Sequence, residues 1–297
     1  MKKISRKEFL LKTSAGVAGL TIMPHLKSQV TVGKTGLREL GKTGIMVSPL
    51  CFGASRTMDE GLIKAALDRD INFLDTGRSY ARGNNEKLVG RVIAGIRNKV
   101  VIQSKMHLER EELTHEGKGK KGAREIKDIL NGKIEESLKA LNTDYIDIML
   151  YHSAEHEDLT FHDAVLEFYS SLKSSGVIRA HGFSSHDYGL NLVKRNNLDK
   201  FYDVIMHPFN YKGAFVHSLS KWSASWDQDL LISLLDEASR QGTGIVAMKT
   251  CSAGPFNAGE ENESSYRQAV AWVLEKDYIH SAAVAMSSYE QLEHHTL

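Results

Sequence analysis

The sequence predicts an α/β protein folded as a closed (β/α)8 barrel. Eight short apolar runs, each the length of a buried strand, alternate with longer segments of helical period. Eight such units in roughly 250 residues suit a TIM barrel held as one domain. No Gly-x-Gly-x-x-Gly follows the first run, so the phosphate-binding turn of an open doubly wound sheet is missing.

The runs, in order, are 49–53, 71–75, 100–103, 145–150, 178–183, 204–206, 245–248 and 282–285. Strands buried on both faces read as continuous apolar stretches, and parallel pairing requires a crossover between them. The clearest crossover helix is expected over 122–141. There Ile126, Ile129, Leu130, Ile134, Leu138 and Leu141 recur mostly at steps of three and four, lining one face. Leu62, Ala65, Ala66 and Leu67 mark the first helix; Leu230, Leu231, Leu234, Leu235 and Ala238 mark a late one. The polar stretch 108–121 reads as a solvated loop or helix edge. Residues 211–228, with Trp222 and Trp226, read as a long loop after the sixth strand.

Composition narrows the function. The chain has 297 residues, 38 basic against 37 acidic, so nothing in its charge calls for nucleic acid or an anionic membrane. The 41% hydrophobic content supports a sizeable core. Its two cysteines, Cys51 and Cys251, form no CxxC and no metal-ligand cluster, so neither a bound metal nor an iron–sulfur cluster is expected.

The N-terminus reads differently. Lys2, Lys3, Arg6 and Lys7 precede a mildly apolar stretch from Thr13 to Met23, the layout of an export signal. Residues 5–12 resemble a twin-arginine signal, read by a translocase for folded proteins, with Lys7 in the place of the second arginine. Residues 1–30 are therefore expected to be an export signal leading to the periplasm, or else a flexible extension on a cytoplasmic enzyme. The barrel is expected over 37–297.

Groups at the C-terminal ends of barrel strands point into the mouth. Asp75 ends the second strand, Lys105 the third, and His152 follows the fourth; Tyr80 lies in the loop after Asp75. Together they suit proton transfer to a carbonyl oxygen. A tyrosine is a mediocre acid, with an ordinary pKa of about 10. A neighbouring ammonium stabilises its phenolate and is expected to lower that value, while Asp75 holds Lys105 charged. His152 can hydrogen-bond the same oxygen.

The surrounding sequence resembles the aldo/keto reductase family. Asp75 to Tyr80, followed by Gly83, Glu86 and Gly90, is similar to its stretch carrying the catalytic aspartate and tyrosine. Ser104-Lys105 resembles its lysine strand, Asp144 to His152 its histidine strand, and Gly176 to Ser184 its fifth strand. Arg38 to Gly44 resembles the N-terminal hairpin that closes the barrel bottom. The resemblance implies an oxidoreductase that moves a hydride between NADP or NAD and a small carbonyl or alcohol, with Asp75, Tyr80, Lys105 and His152 as catalytic residues. It implies cofactor contacts from Ser184, Ser185, His207, Lys249, Ser287 and Gln291. Of these, Ser185, His207 and Gln291 depart from the family's usual asparagine, glutamine and arginine. Without that arginine the grip on a 2′-phosphate loses its charge, which makes NAD a candidate beside NADP. With the chain ending at Leu297, the family's C-terminal substrate loop is expected to be nearly missing.

Two other readings compete. One is a cofactor-binding regulatory or redox-sensing barrel with little turnover. The other is a metal-dependent hydrolase using Asp75, His152 and His207.

Overall fold

The computed structural model describes residues 36–115, 119–186, 189–216, 221–252 and 263–296. The export segment expected over 1–30 lies outside the described residues, as does part of the polar stretch 108–121.

All eight expected strands form. They are Leu50–Gly53 (β1), Phe73–Asp75 (β2), Val101–Met106 (β3), Ile146–Tyr151 (β4), Ile178–Ser184 (β5), Val204–Pro208 (β6), Gly244–Met248 (β7) and Ser281–Ala285 (β8). Each pairs in parallel with its neighbours, and β8 returns to β1 through Ala282↔Leu50 to Ala285↔Gly53, closing the barrel. β3 and β6 run further than the apolar pattern showed, to Met106 and Pro208, because ladder pairing continues past the last apolar residue.

Helices follow each strand: Glu60–Leu67 (α1), Asn84–Val92 (α2), Ala123–Leu141 (α3), Asp163–Ser174 (α4), Gly189–Asp199 (α5), Gln228–Gln241 (α6), Glu263–Leu274 (α7) and Tyr289–His295 (α8). Their starts are set locally. Asp59 accepts the Gly61 amide ahead of α1, and Asp227 accepts that of Leu230 ahead of α6, satisfying amides with no partner inside the helix. α3 buries Ile126, Leu130, Ile134 and Leu141, the stripe its period predicts. α6 corrects one position: Leu230 is exposed, while Leu231, Leu234, Leu235 and Ala238 face the barrel.

The core has two layers. The larger lies between strands and helices. The smaller fills the barrel itself with alternate strand residues, among them Cys51, Phe73, Val101, Ile148, Leu150, Val204, Met206, Val246 and Met248. An N-terminal hairpin pairing Arg38–Glu39 with Met46–Val47 seals its lower end with Leu40, Ile45 and Val47. Each of the three is fully buried, contributing ~1.5–3 kcal/mol of apolar burial. Gly41 is required at that seam. Its φ is +60°, and a Cβ there would fall 2.4 Å from both Gly242 O and Gly244 N.

At the other end, the connection between β6 and α6 is not a plain loop. Ala214–Val216 pairs antiparallel with Ser223–Ser225, standing a small hairpin beside the mouth. No helix among the described residues is long and apolar enough to cross a membrane.

Candidate active site

Inward facing repeats every second residue along a strand. Phe73 and Val101 point into the barrel, so Asp75 on β2, and Gln103 and Lys105 on β3, point inward above them, toward the C-terminal mouth. All three are buried. The Lys105 ammonium donates to Asp75 Oδ1 at 2.5 Å and to the Thr76 carbonyl at 2.7 Å. The Gln103 amide donates to the same Asp75 oxygen at 2.7 Å. Tyr80 meets this group from above, with Lys105 Nζ 4.7 Å from its ring centre. The His152 ring lies edge-on to Tyr80, centres 5.7 Å apart. The four predicted residues thus converge on one place.

Their electrostatics differ in one respect from expectation. Burial alone would pull the Lys105 ammonium down, but Asp75 and then Tyr80 hold it above its ordinary value, so it stays charged. For Tyr80 burial is the largest influence and raises the phenol. Lys105 opposes it without prevailing, so the net direction is upward and not the lowering expected from the lysine alone. Burial, then the positive charge of Lys105, then His107 and His186, holds His152 well below the usual histidine range. The site therefore presents an ammonium, a protonated phenol and a neutral imidazole.

Tyr80 sits on an unusual turn. Ala81 and Arg82 have φ of 48° and 55°, and Gly83 continues at 81°. Left-handed backbone costs an L-residue roughly 1–2 kcal/mol, so the surrounding contacts must hold this segment in place.

At the four residues opens a cavity of about 620 Å³, bordered by Asp75, Tyr80 and His152 and also by Arg56, Lys249, Ser287 and Gln291. His186 and Trp222 form part of its wall, edge-on with ring centres 5.5 Å apart. Arg56, His186, Trp222 and Gln103 were not predicted from the sequence. Only Gln103 left a signal there, as a polar residue at an inward position between Val101 and Lys105.

Residues 54–266, well over half of the chain, match the family model described as the aldo/keto reductase family. The chain belongs to the aldo/keto reductase family. It is 29% identical over 152 residues to the oxidoreductase YqkF of Bacillus subtilis (strain 168), a match spanning 51% of this chain and 48% of that protein. The chain spans about half the length of the curated relatives it matches. Solved aldo/keto reductases share its fold. The holo form of AKR11C1 from Bacillus halodurans superimposes with a TM-score of 0.66 at 23% identity, covering 88% of this chain and 89% of that one. An aldo/keto reductase from Klebsiella pneumoniae, in complex with NADP and acetate, gives 0.64 at 19% identity over 91% and 89%.

Within this aldo/keto reductase, the residues expected on the cofactor side divide. Ser184, at the inward end of β5, and Ser185 are buried, and neither hydroxyl has a partner among the described residues. Lys249, at φ 57°, borders the cavity with its ammonium 5.5 Å from the Phe215 ring centre. Burial, helped by Arg56 and Lys105, lowers its pKa. Gln291 is tied to the loop before α8, its Oε1 accepting the Ser287 amide at 2.8 Å. Ser184, Ser185 and His207 do not border the cavity, and His207 lies furthest from that role. On β6 the inward residue at this level is Met206, which borders the cavity, whereas His207 turns outward beneath α5, where a Cβ on Gly189 would fall 2.0 Å from its Nε2. The structure therefore does not bring His207 to the mouth, and it removes the third ligand from the metal-dependent reading. Among the described residues, no three His, Cys, Asp or Glu side chains are placed to hold a metal ion.

Proposed function

We propose that this chain reduces a small aldehyde, ketone or sugar-like carbonyl with a nicotinamide cofactor, Tyr80 delivering the proton. One observation carries the reading: a buried ammonium, anchored to Asp75 at 2.5 Å, lies under the ring of a phenol that burial keeps protonated. A protonated phenol at neutral pH is what a carbonyl oxygen gaining negative charge needs.

The cofactor side fits such a group. The buried hydroxyl of Ser184, on the inward side of β5 and without a partner among the described residues, can take up the polar end of a nicotinamide, and the cations Arg56 and Lys249 border the cavity where anionic phosphates would lie. When bound, the cofactor supplies the hydride. NADP is the cofactor named for the related Klebsiella pneumoniae structure.

This chain's own groups do the rest. Ser79 Oγ stands 3.4 Å from His152 Nδ1. Donation from that hydroxyl leaves the imidazole proton on Nε2, free to hydrogen-bond the substrate oxygen. Tyr80 transfers its proton to that oxygen, and Lys105 stabilises the phenolate left behind. Asp75 and Gln103 keep the ammonium in place. Trp222 and His186 form part of the cavity wall beside the substrate position.

The test is oxidation of NADPH and NADH across a panel of aldehydes and ketones. Tyr80→Phe should lower kcat by ~10²–10⁴ while leaving cofactor affinity unchanged. Absence of turnover with every carbonyl and both cofactors, or an unimpaired Tyr80→Phe enzyme, would overturn the proposal.

A further inference from the structure

Tyr80 reaches Lys105 from a segment that its own backbone preferences disfavour. After β2 the chain zips onto β3, the Thr76 amide donating to Gln103 O and the Arg78 amide to Lys105 O, each at 2.9 Å. It then enters the left-handed turn at Ala81, Arg82 and Gly83. The backbone hydrogen bonds within the turn run from Tyr80 N to Gly77 O at 3.0 Å, from Arg82 N to Ser79 O at 3.3 Å, and from Asn84 N, the first residue of α2, to Tyr80 O and Ala81 O. Those contacts are short-range: they join the turn to the start of α2, and none of them reaches α3.

Thr76 Oγ1 adds a buried tie to Asn85 Oδ1 on α2 at 2.7 Å, but the reach to α3 comes from one side chain. Arg78 Nε and Nη2 donate to Glu136 Oε2 on α3, at 3.0 and 2.8 Å. Its Nη1 donates to Glu86 Oε2 on α2 at 3.0 Å. Glu86 is fully buried, and its second oxygen accepts the Ser104 hydroxyl at 2.7 Å. Ser104 immediately precedes Lys105 and faces the opposite side of β3. The guanidinium also presses against the end of the turn: a Cβ on Gly83 would fall 2.4 Å from Nη1. One group thus touches two helices, the turn and, through Glu86, the outer face of the lysine strand.

We infer that Arg78 is a positioning residue for Tyr80, fixing the left-handed turn against α2 and α3 so that the phenol stays over Lys105. This rests on the proposed role of Tyr80 as proton donor. A fork is required because two carboxylates on different helices must be bridged in one plane, which an ammonium cannot do. Without Arg78 the buried Glu86 keeps only Ser104, and the turn loses the group packed against it.

The test compares Arg78→Met and Arg78→Lys, each in the native and the Tyr80→Phe background. A displacement of about 1 Å in a catalytic group costs ~10²-fold, so Arg78→Met should lower kcat by about 30- to 100-fold. Aldehyde KM and the NADPH dissociation constant, read by cofactor fluorescence, should stay within about three-fold. Arg78→Lys, which keeps one ion pair, should recover part of the loss. In the Tyr80→Phe background Arg78→Met should cost less than about two-fold, because the two act as a unit. An unchanged kcat, or the same loss in both backgrounds, overturns the inference. Should Arg78→Met fail to fold, Glu136→Gln removes one exposed arm. Its expected loss is about three-fold or more, again vanishing with Tyr80→Phe, and no loss is the overturning result. A fully active Tyr80→Phe enzyme would instead strike the proposed function itself.

Discussion

Lys105 and Asp75 form an ion pair at 2.5 Å inside the barrel, with both side chains at most 5% exposed. Gln103 donates to the same carboxylate oxygen, so Asp75 is fixed from two sides and can in turn fix the ammonium. A buried pair of this kind is costly to break, because the surviving partner is left charged without compensation. Asp75→Asn should therefore lower unfolding free energy by ~3–5 kcal/mol. It should also lower kcat by about 10²-fold as Lys105 loses its anchor. Denaturant unfolding and steady-state kinetics on the same preparation check both. A variant with native stability and native kcat would show that the pair is dispensable.

The Tyr80 phenol is held above its ordinary value, first by burial and then against the pull of Lys105. An acid with a raised pKa keeps its proton until the pH climbs past that value. His152, held well below the usual histidine range, adds no ionisation near neutrality. The kcat for carbonyl reduction should thus be level from about pH 7 through the ordinary phenol value of about 10, falling only above it. Alcohol oxidation, which needs the phenolate, should rise with pH over the same interval. A reductive profile with its midpoint between about pH 7 and 9 would contradict the raised phenol.

Much of this was legible before any coordinates. Strands buried on both faces must be apolar along their length, so runs such as 145–150 stand out in a chain whose helices alternate. Asp75, Lys105 and His152 were visible because a charged or polar residue ending such a run has one place to go, the mouth. What hid was whatever depends on facing. His207 and Met206 are one step apart, and one step turns a strand residue from the barrel interior to its outer face. Gln103 lay inside a strand and looked like filler until Val101 set the phase. The direction of the Tyr80 pKa could not be read either, because it depends on how deeply Lys105 and the phenol are buried together. Trp222 reaches the cavity beside the paired strands Ala214–Val216 and Ser223–Ser225, which no apolar period announces.

Gln291 borders the cavity with its Oε1 already engaged by Ser287. The next cavity along, about 290 Å³, is bordered by Gln291, His294 and His295, with no lysine or arginine among its lining residues. Burial and then the charges of His294 and Arg267 push His295 down to about 4, so it stays neutral. With the neutral Gln291 at this point of the rim, no charge-assisted contact to a 2′-phosphate forms there, and discrimination for it is weak. NADPH and NADH should bind within about ten-fold of each other, and Gln291→Arg should shift the ratio about ten-fold toward NADPH through a charge-assisted contact. Titrations of both cofactors against both proteins decide it. A native preference for NADPH beyond about 100-fold would place the phosphate elsewhere.

Three histidines are buried as neutral groups away from the chemistry. His181 packs against Phe201 at 4.7 Å between ring centres, His207 lies beneath α5, and His280 accepts the Ile245 amide at 3.0 Å. Burial pushes each of them down to about 4. The unfolded chain takes up these protons near the ordinary value of about 6.5, so it binds more protons than the folded one between the two values. Stability is therefore fully present above about pH 6.5 and drains away as the pH falls toward 4, at up to ~1.4 kcal/mol per pH unit for each histidine. Three together are enough to unfold an ordinary domain within that window. Thermal melts from pH 7.5 down to about 4.5 should show a steep fall in Tm beginning near pH 6.5. With His152 and His295 also held down, His280→Asn removes one of five such groups and should flatten the slope by roughly a fifth, even if it lowers Tm at neutral pH. A Tm that stays level through pH 5 would mean these imidazoles accept protons without leaving their places.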